Sequence, residues 1–118
     1  RANKFWRKIT SVKNSAKVPV LTDAQWIDAW PERDHGAGQT EDKNWRDQQN
    51  TQMVRLVQNR HNERQNMLFA DGTAETVGLK QLWTLKWHRT FDTANAYTQA
   101  GGVQSDDWPQ WMRRFSDY

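Results

Sequence analysis

An α+β domain, with a small antiparallel sheet centred on a β-hairpin and packed with Trp-rich C-terminal helices, is what this sequence predicts on three observations. Residues 66–70 and 73–78 face each other across Asp71-Gly72, a dipeptide that supplies the two positive-φ positions of a type I′ turn. Trp108, Trp111, Met112 and Phe115 recur at i, i+3, i+4 and i+7, the stripe of an amphipathic helix. KVPVLT at residues 17–22 is β-branched and alternating, and its proline suits the edge of a sheet.

In chain order, residues 1–16 are a basic arm in which Phe5, Trp6 and Ile9 recur at near-helical spacing, and residues 17–118 are the globular domain. The strand at residues 17–22 is placed to pair with the hairpin or with MVRLV at residues 53–57, an apolar run long enough for one strand. Between them, Thr22 or Asp23 caps a short turn carrying Trp26, Ile27 and Trp30, which Pro31 stops. Residues 32–49 then make a polar, charged loop. After the hairpin, Gly78 marks the switch into a helix over residues 79–91, where Leu79, Leu82, Trp83, Lys86 and Trp87 fall at helical spacing. Gly101-Gly102 breaks the chain, Ser105 or Asp106 offers an N-cap, and a last helix spans residues 107–115.

The core this chain can bury is thin, because only 36% of its 118 residues are hydrophobic. Eight are tryptophan, however, and each large ring buries about 150–250 Å², so a few aromatics carry much of the packing. Trp83, Trp87, Trp108, Trp111 and Phe115 are assigned to the core or a subunit interface. Trp6, Trp26, Trp30 and Trp45 are left for neighbouring subunits, or for stacking on a sugar or nucleobase. The absence of cysteine excludes disulfides and thiolate metal sites, and no run approaches the roughly 20 apolar residues that cross a bilayer.

Charge is distributed unevenly about a net of +3. Residues 1–22 hold six bases and no acid, while residues 23–79 hold ten acids against six bases. Such an arm binds phosphate-rich polymers through counterion release, or meets the acidic middle of a neighbouring subunit.

His61, nine residues, then Asp71-Gly72, with the apolar Met67-Leu68-Phe69-Ala70 between, resembles the His-x9-Asp-Gly domain of prepilin-type proteins. The resemblance continues through GLKQLWTLKWHRTFDTAN at 78–95, AGGVQSDDWPQWMRRFSDY at 100–118 and KVPVLTD at 17–23, and covers roughly residues 15–118. It departs at Thr73, where many relatives carry a second histidine or an aromatic, and these residues include neither the family's polymerisation helix nor its processing site. It implies the globular part of a pseudopilin or type IV pilin-like subunit, in an extracellular, cell-surface or periplasmic filament. The implied partners are copies of itself, a stem helix and the pilus or secretion assembly machinery. Because the chain opens on Arg1, a stem supplied by a separate short peptide is the sharper expectation.

Neither catalysis nor a cofactor is expected. His35, His61 and His88 are the only histidines, and none is spaced with another histidine or a carboxylate in a catalytic or zinc pattern. His61 is expected to hydrogen-bond the hairpin or its turn after a bend at residues 62–65, with a metal shared between His61 and Asp71 as the lesser reading, and Asp71 and Gly72 to shape the turn. Calcium held by Asp34, Glu41, Asp42 and Asp47, as the resemblance to secretion pseudopilins implies, is a lesser reading, since their spacing does not match a calcium loop. The interface candidates are therefore Arg1, Lys4, Phe5, Trp6, Arg7 and Lys8 of the arm, facing the acidic loop of the next subunit, with Trp26, Trp30 and Trp45 as aromatic anchors. The rival reading is a secreted basic, Trp-rich module for nucleic acid or anionic polysaccharide.

Overall fold

The central strand, β2 (Arg64–Phe69), uses both of its edges. β1 (Pro19–Thr22) pairs antiparallel with one and β3 (Ala74–Gly78) with the other, in the order β1-β2-β3. The computed structural model describes residues 4–25, 28–41 and 52–118. Gln65, Met67 and Phe69 of β2 point into the core while Arg64 and Asn66 point out, the period-two pattern of a strand buried on one face. The expected antiparallel sheet around the Asp71-Gly72 hairpin is present, with helical turns packed on it.

The hairpin's turn differs from the expected type I′. Gly72 has φ 85°, but Asp71 is outside the positive-φ region. Gly72 N–H donates to Phe69 O (2.9 Å) and Phe69 N–H to Thr73 O (2.9 Å), so three residues, Ala70-Asp71-Gly72, join the strands. The Asp71 carboxylate is the reason: its Oδ1 accepts from Thr73 N–H (3.0 Å) and Thr73 Oγ1 (2.6 Å), a local ring that fixes the loop.

β1 is the edge strand that Pro19 demands, but its register shifts between Pro19 and Leu21. The shift breaks the in–out alternation. Val18 is buried, whereas Val20 and Leu21 both stay in solvent.

Residues 53–57 are not a strand. Met53–Arg55 is a 3-10 turn in which Leu56 N–H and Val57 N–H both reach Met53 O (2.9 and 3.1 Å), with Met53, Val54, Leu56 and Val57 buried. A short apolar run reads the same in a buried turn as in a buried strand.

The two C-terminal helices are also shorter than expected. In place of a helix over 79–91 there is a 3-10 helix, Leu79–Thr84, and Leu85 is extended. Side chains have taken the carbonyls that would propagate an α-helix: Gln81 O accepts from Thr84 Oγ1, Leu82 O from Trp87 Nε1 and Trp83 O from Asn95 Nδ2. In place of a helix over 107–115 there are two 3-10 turns, Ser105–Asp107 and Gln110–Met112. Pro109 separates them by holding Trp108 extended (φ −97°, ψ 147°).

The aromatic stripe still forms the core. Trp83 and Trp108 are buried and meet edge to face at 4.9 Å, with Tyr97 5.4 and 5.3 Å from them. Lys80 is buried beside them, its Nζ donating to Phe115 O (2.9 Å) and Asp117 Oδ1 (2.8 Å) and lying 4.9 Å from the Trp108 ring centroid.

Candidate interaction surfaces

His61 and Asp71, the two motif residues, stand at opposite ends of β2. Six strand residues rise about 20 Å, so nine intervening residues are a strand plus its entry and exit. The bend after His61 is real, with Asn62 and Glu63 both at positive φ (54° and 68°), but it returns the imidazole to the end of β1. There His61 Nε2 lies 2.6 Å from Asp23 Oδ2. The expected contact with the hairpin turn, and the lesser reading of a metal shared with Asp71, are both replaced by this pair. Asp71 Oδ1 accepts from Thr73 instead, and these hydrogen bonds hold the carboxyl below the usual aspartate range. Among the described residues no three histidine or carboxylate side chains gather as a metal site, and no helix is long and apolar enough to cross a membrane.

The arm folds back onto its own chain. Lys4 Nζ pairs with Glu32 Oε1, and His88 Nε2 lies 3.1 Å from Glu32 Oε2. The contact expected between the arm of one subunit and the acidic loop of the next is thus made, for Lys4, inside one chain. Burial pulls the Glu32 pKa up, but Lys4 and His88 outweigh it and leave the carboxyl below its ordinary 4.5. His88 is pushed below 6.5 by burial against the opposing pull of Glu32, so at neutral pH Lys4 is the cation that matters.

His35 is a second anchor of the same loop. Its Nδ1 accepts from Glu32 N–H (3.1 Å) and Gln52 N–H (3.2 Å), while its carbonyl accepts from Trp83 Nε1 (2.8 Å). Burial lowers its pKa below 6.5, and a proton on Nδ1 would also displace both donors. Because folded His35 and His88 bind protons less readily than unfolded ones, stability is complete above pH 6.5 and declines below it, with Glu32 adding to the loss below 4.5. Thermal melting should therefore show a lower midpoint at pH 5 than at pH 7, and His35→Gln with His88→Gln should flatten that difference. An equal midpoint at both pH values would contradict this assignment.

Two surfaces flank the arm. The first is an apolar groove of about 670 Å³ between the arm, β1 and Trp30. Ile9, Val20 and Leu21 are 77%, 57% and 65% exposed along it, and Phe5 stands edge to face on Trp30 at 5.4 Å with both rings partly in solvent. The second is a cleft of about 950 Å³ between the arm and residues 84–93, carrying Arg7, Lys8, Lys13, Lys17, Lys86 and Arg89. Trp6 and Lys8 line both.

Phe5, Trp6, Arg7, Lys8 and Trp30 line these two surfaces. Arg1, Trp26 and Trp45, with the acidic Asp42 and Asp47, fall outside the described residues. Sequence reasoning missed Val20 and Leu21, because a regular strand would have turned one of them inward. It also missed Lys86 and Arg89, assigned to a helix, and Asp23, whose partner is 38 residues away. No family model matches this chain, and no curated protein or solved structure is detectably similar to it.

Proposed function

We propose that this chain is the globular part of a pilin-like filament subunit, acting through subunit interfaces rather than chemistry, in an extracellular or cell-surface polymer built by pilus or secretion machinery. The observation that carries the reading is the apolar groove along β1. Five large apolar side chains, Phe5, Ile9, Val20, Leu21 and Trp30, stand in solvent around one depression. Contiguous apolar surface of this kind marks an interaction site. Its occupant in this reading is an apolar stem helix, laid against the edge strand with the Lys4 and Lys8 stems at its rim. The His61, Asp71 and Gly72 spacing supports the same family of subunits by resemblance.

Cryo-electron microscopy of native material tests it. A helical array with a stem helix in the groove is the expected result, and the map shows whether that stem continues from residue 1 or is a separate peptide. Discrete monomers with the groove open to solvent would overturn the proposal. Val20→Glu with Leu21→Glu should abolish assembly while leaving the melting midpoint nearly unchanged, because both side chains are already in water.

A further inference from the structure

We infer that the cationic cleft between the arm and residues 84–93 binds single-stranded nucleic acid, with its lysines and arginines on the phosphates and Trp6 against a base. The inference is independent of the filament reading. It concerns a different cavity, and an unassembled monomer suffices to test it.

Charge is the first support. Among the described residues, six cations line the cleft and no carboxylate does, in a chain that carries fourteen acids. Among the described residues, none of the six forms an ion pair. Lys86 Nζ donates to Phe91 O (2.6 Å), a neutral acceptor that leaves the ammonium charge in place. Six like charges about one cavity raise each other's energy and concentrate anions there.

Construction is the second. Arg89 N–H donates to Lys4 O (2.7 Å) and Lys86 N–H to Lys17 O (2.8 Å), so the two walls are tied near both ends of the arm. A frame set in advance lowers the ordering cost of binding. The cleft, about 950 Å³, is far larger than one phosphate needs.

Composition of the wall is the third. Trp6 shares the lining with the six cations and with Ser11, Thr84 and Thr93. A single strand offers bases splayed away from its phosphates, matching an aromatic surface set beside a row of cations. A duplex keeps its bases stacked on one another, and a sulfated sugar carries its charge on the ring itself.

The experiment is fluorescence anisotropy of a labelled oligothymidylate against the full chain at increasing NaCl, with heparin and a DNA duplex as comparators. The expected slope of log K against log salt is about −0.7 per phosphate engaged, hence about −4 when all six cations take part. Arg7→Ala with Lys13→Ala should weaken binding and make the slope shallower by about 1.4. Trp6→Leu should weaken binding about tenfold with the slope unchanged. Arg7 and Lys13 are exposed, so their double variant carries the test even if Trp6→Leu loosens the arm. No binding at low salt, or a slope unmoved by the double variant, overturns the inference. So does equal affinity for heparin and duplex.

Discussion

Trp83→Ala is expected to remove most of the protein's stability, lowering its melting midpoint by considerably more than about 10 °C. The side chain is fully buried and packs edge to face on Trp108 and against Tyr97, while its Nε1 holds the loop carbonyl of His35 at 2.8 Å. Removing so large a ring from a packed core costs about 3–5 kcal/mol, and small domains hold only about 5–15 kcal/mol in total. The thin core places this domain toward the lower end. Near-ultraviolet circular dichroism and thermal melting read the outcome. A variant melting within a few degrees of the parent would show that the fold is not centred on this ring. Trp83→Phe separates the two contributions: it keeps most of the packing and loses the hydrogen bond, at about 1 kcal/mol or somewhat more.

Gly101→Ala should come close to that loss without touching the hydrophobic core. A Cβ at this position would lie 1.8 Å from Asn95 O, 2.4 Å from Asn95 C and 2.8 Å from Ala94 O, all of them backbone atoms. They cannot yield cheaply, because Asn95 O already accepts from Thr98 N–H (3.1 Å) and Thr98 Oγ1 (2.9 Å), and Asn95 Nδ2 holds Trp83 O at 2.8 Å. Displacing Asn95 therefore also frees the carbonyl it ties down. The expected cost is about 3 kcal/mol, at the upper end for overpacking, and a melting midpoint lower by on the order of 10 °C. A nearly unchanged midpoint would mean that residues 94–101 rearrange freely. Gly78→Ala is the control, since the atoms it meets belong to the ring and hydroxyl of Tyr118, a partly exposed C-terminal side chain.

The sheet was largely legible because local signals agreed. Alternation placed the hairpin strands, Pro19 placed β1 at an edge, and Asp71-Gly72 placed the turn although not its type. The helices were not legible, because distant partners decide them. Asn95 and Trp87 divert the carbonyls of Trp83 and Leu82, and no periodicity over residues 79–91 announces those acceptors as taken. The apolar stripe of residues 108–115 correctly marked core residues, while Pro109 broke the helix expected to carry them.

The surfaces divide the same way. An arm without acids was visible in the sequence, but its partners across the cleft, Lys86 and Arg89, arrive only through the backbone hydrogen bonds that bind the arm down. The shifted register of β1, which exposes Val20 and Leu21 together, has no mark in KVPVLT. Glu32 lies in the loop of residues 32–49 expected to meet the arm of the next subunit, and Lys4 of the same chain already holds it.

That His61 and Asp71 mark the two ends of one strand turns their separation into a question of parity. Inserting or deleting one residue within β2 would send Gln65, Met67 and Phe69, or whichever of them lie beyond the change, to the opposite face, while their neighbours on β1 and β3 stayed where they are. A change of two would preserve the faces and lengthen or shorten the ladder by one repeat. The spacing thus acts as a mechanical count, keeping the imidazole–carboxylate clasp at one end and the turn at the other in phase with the same buried side.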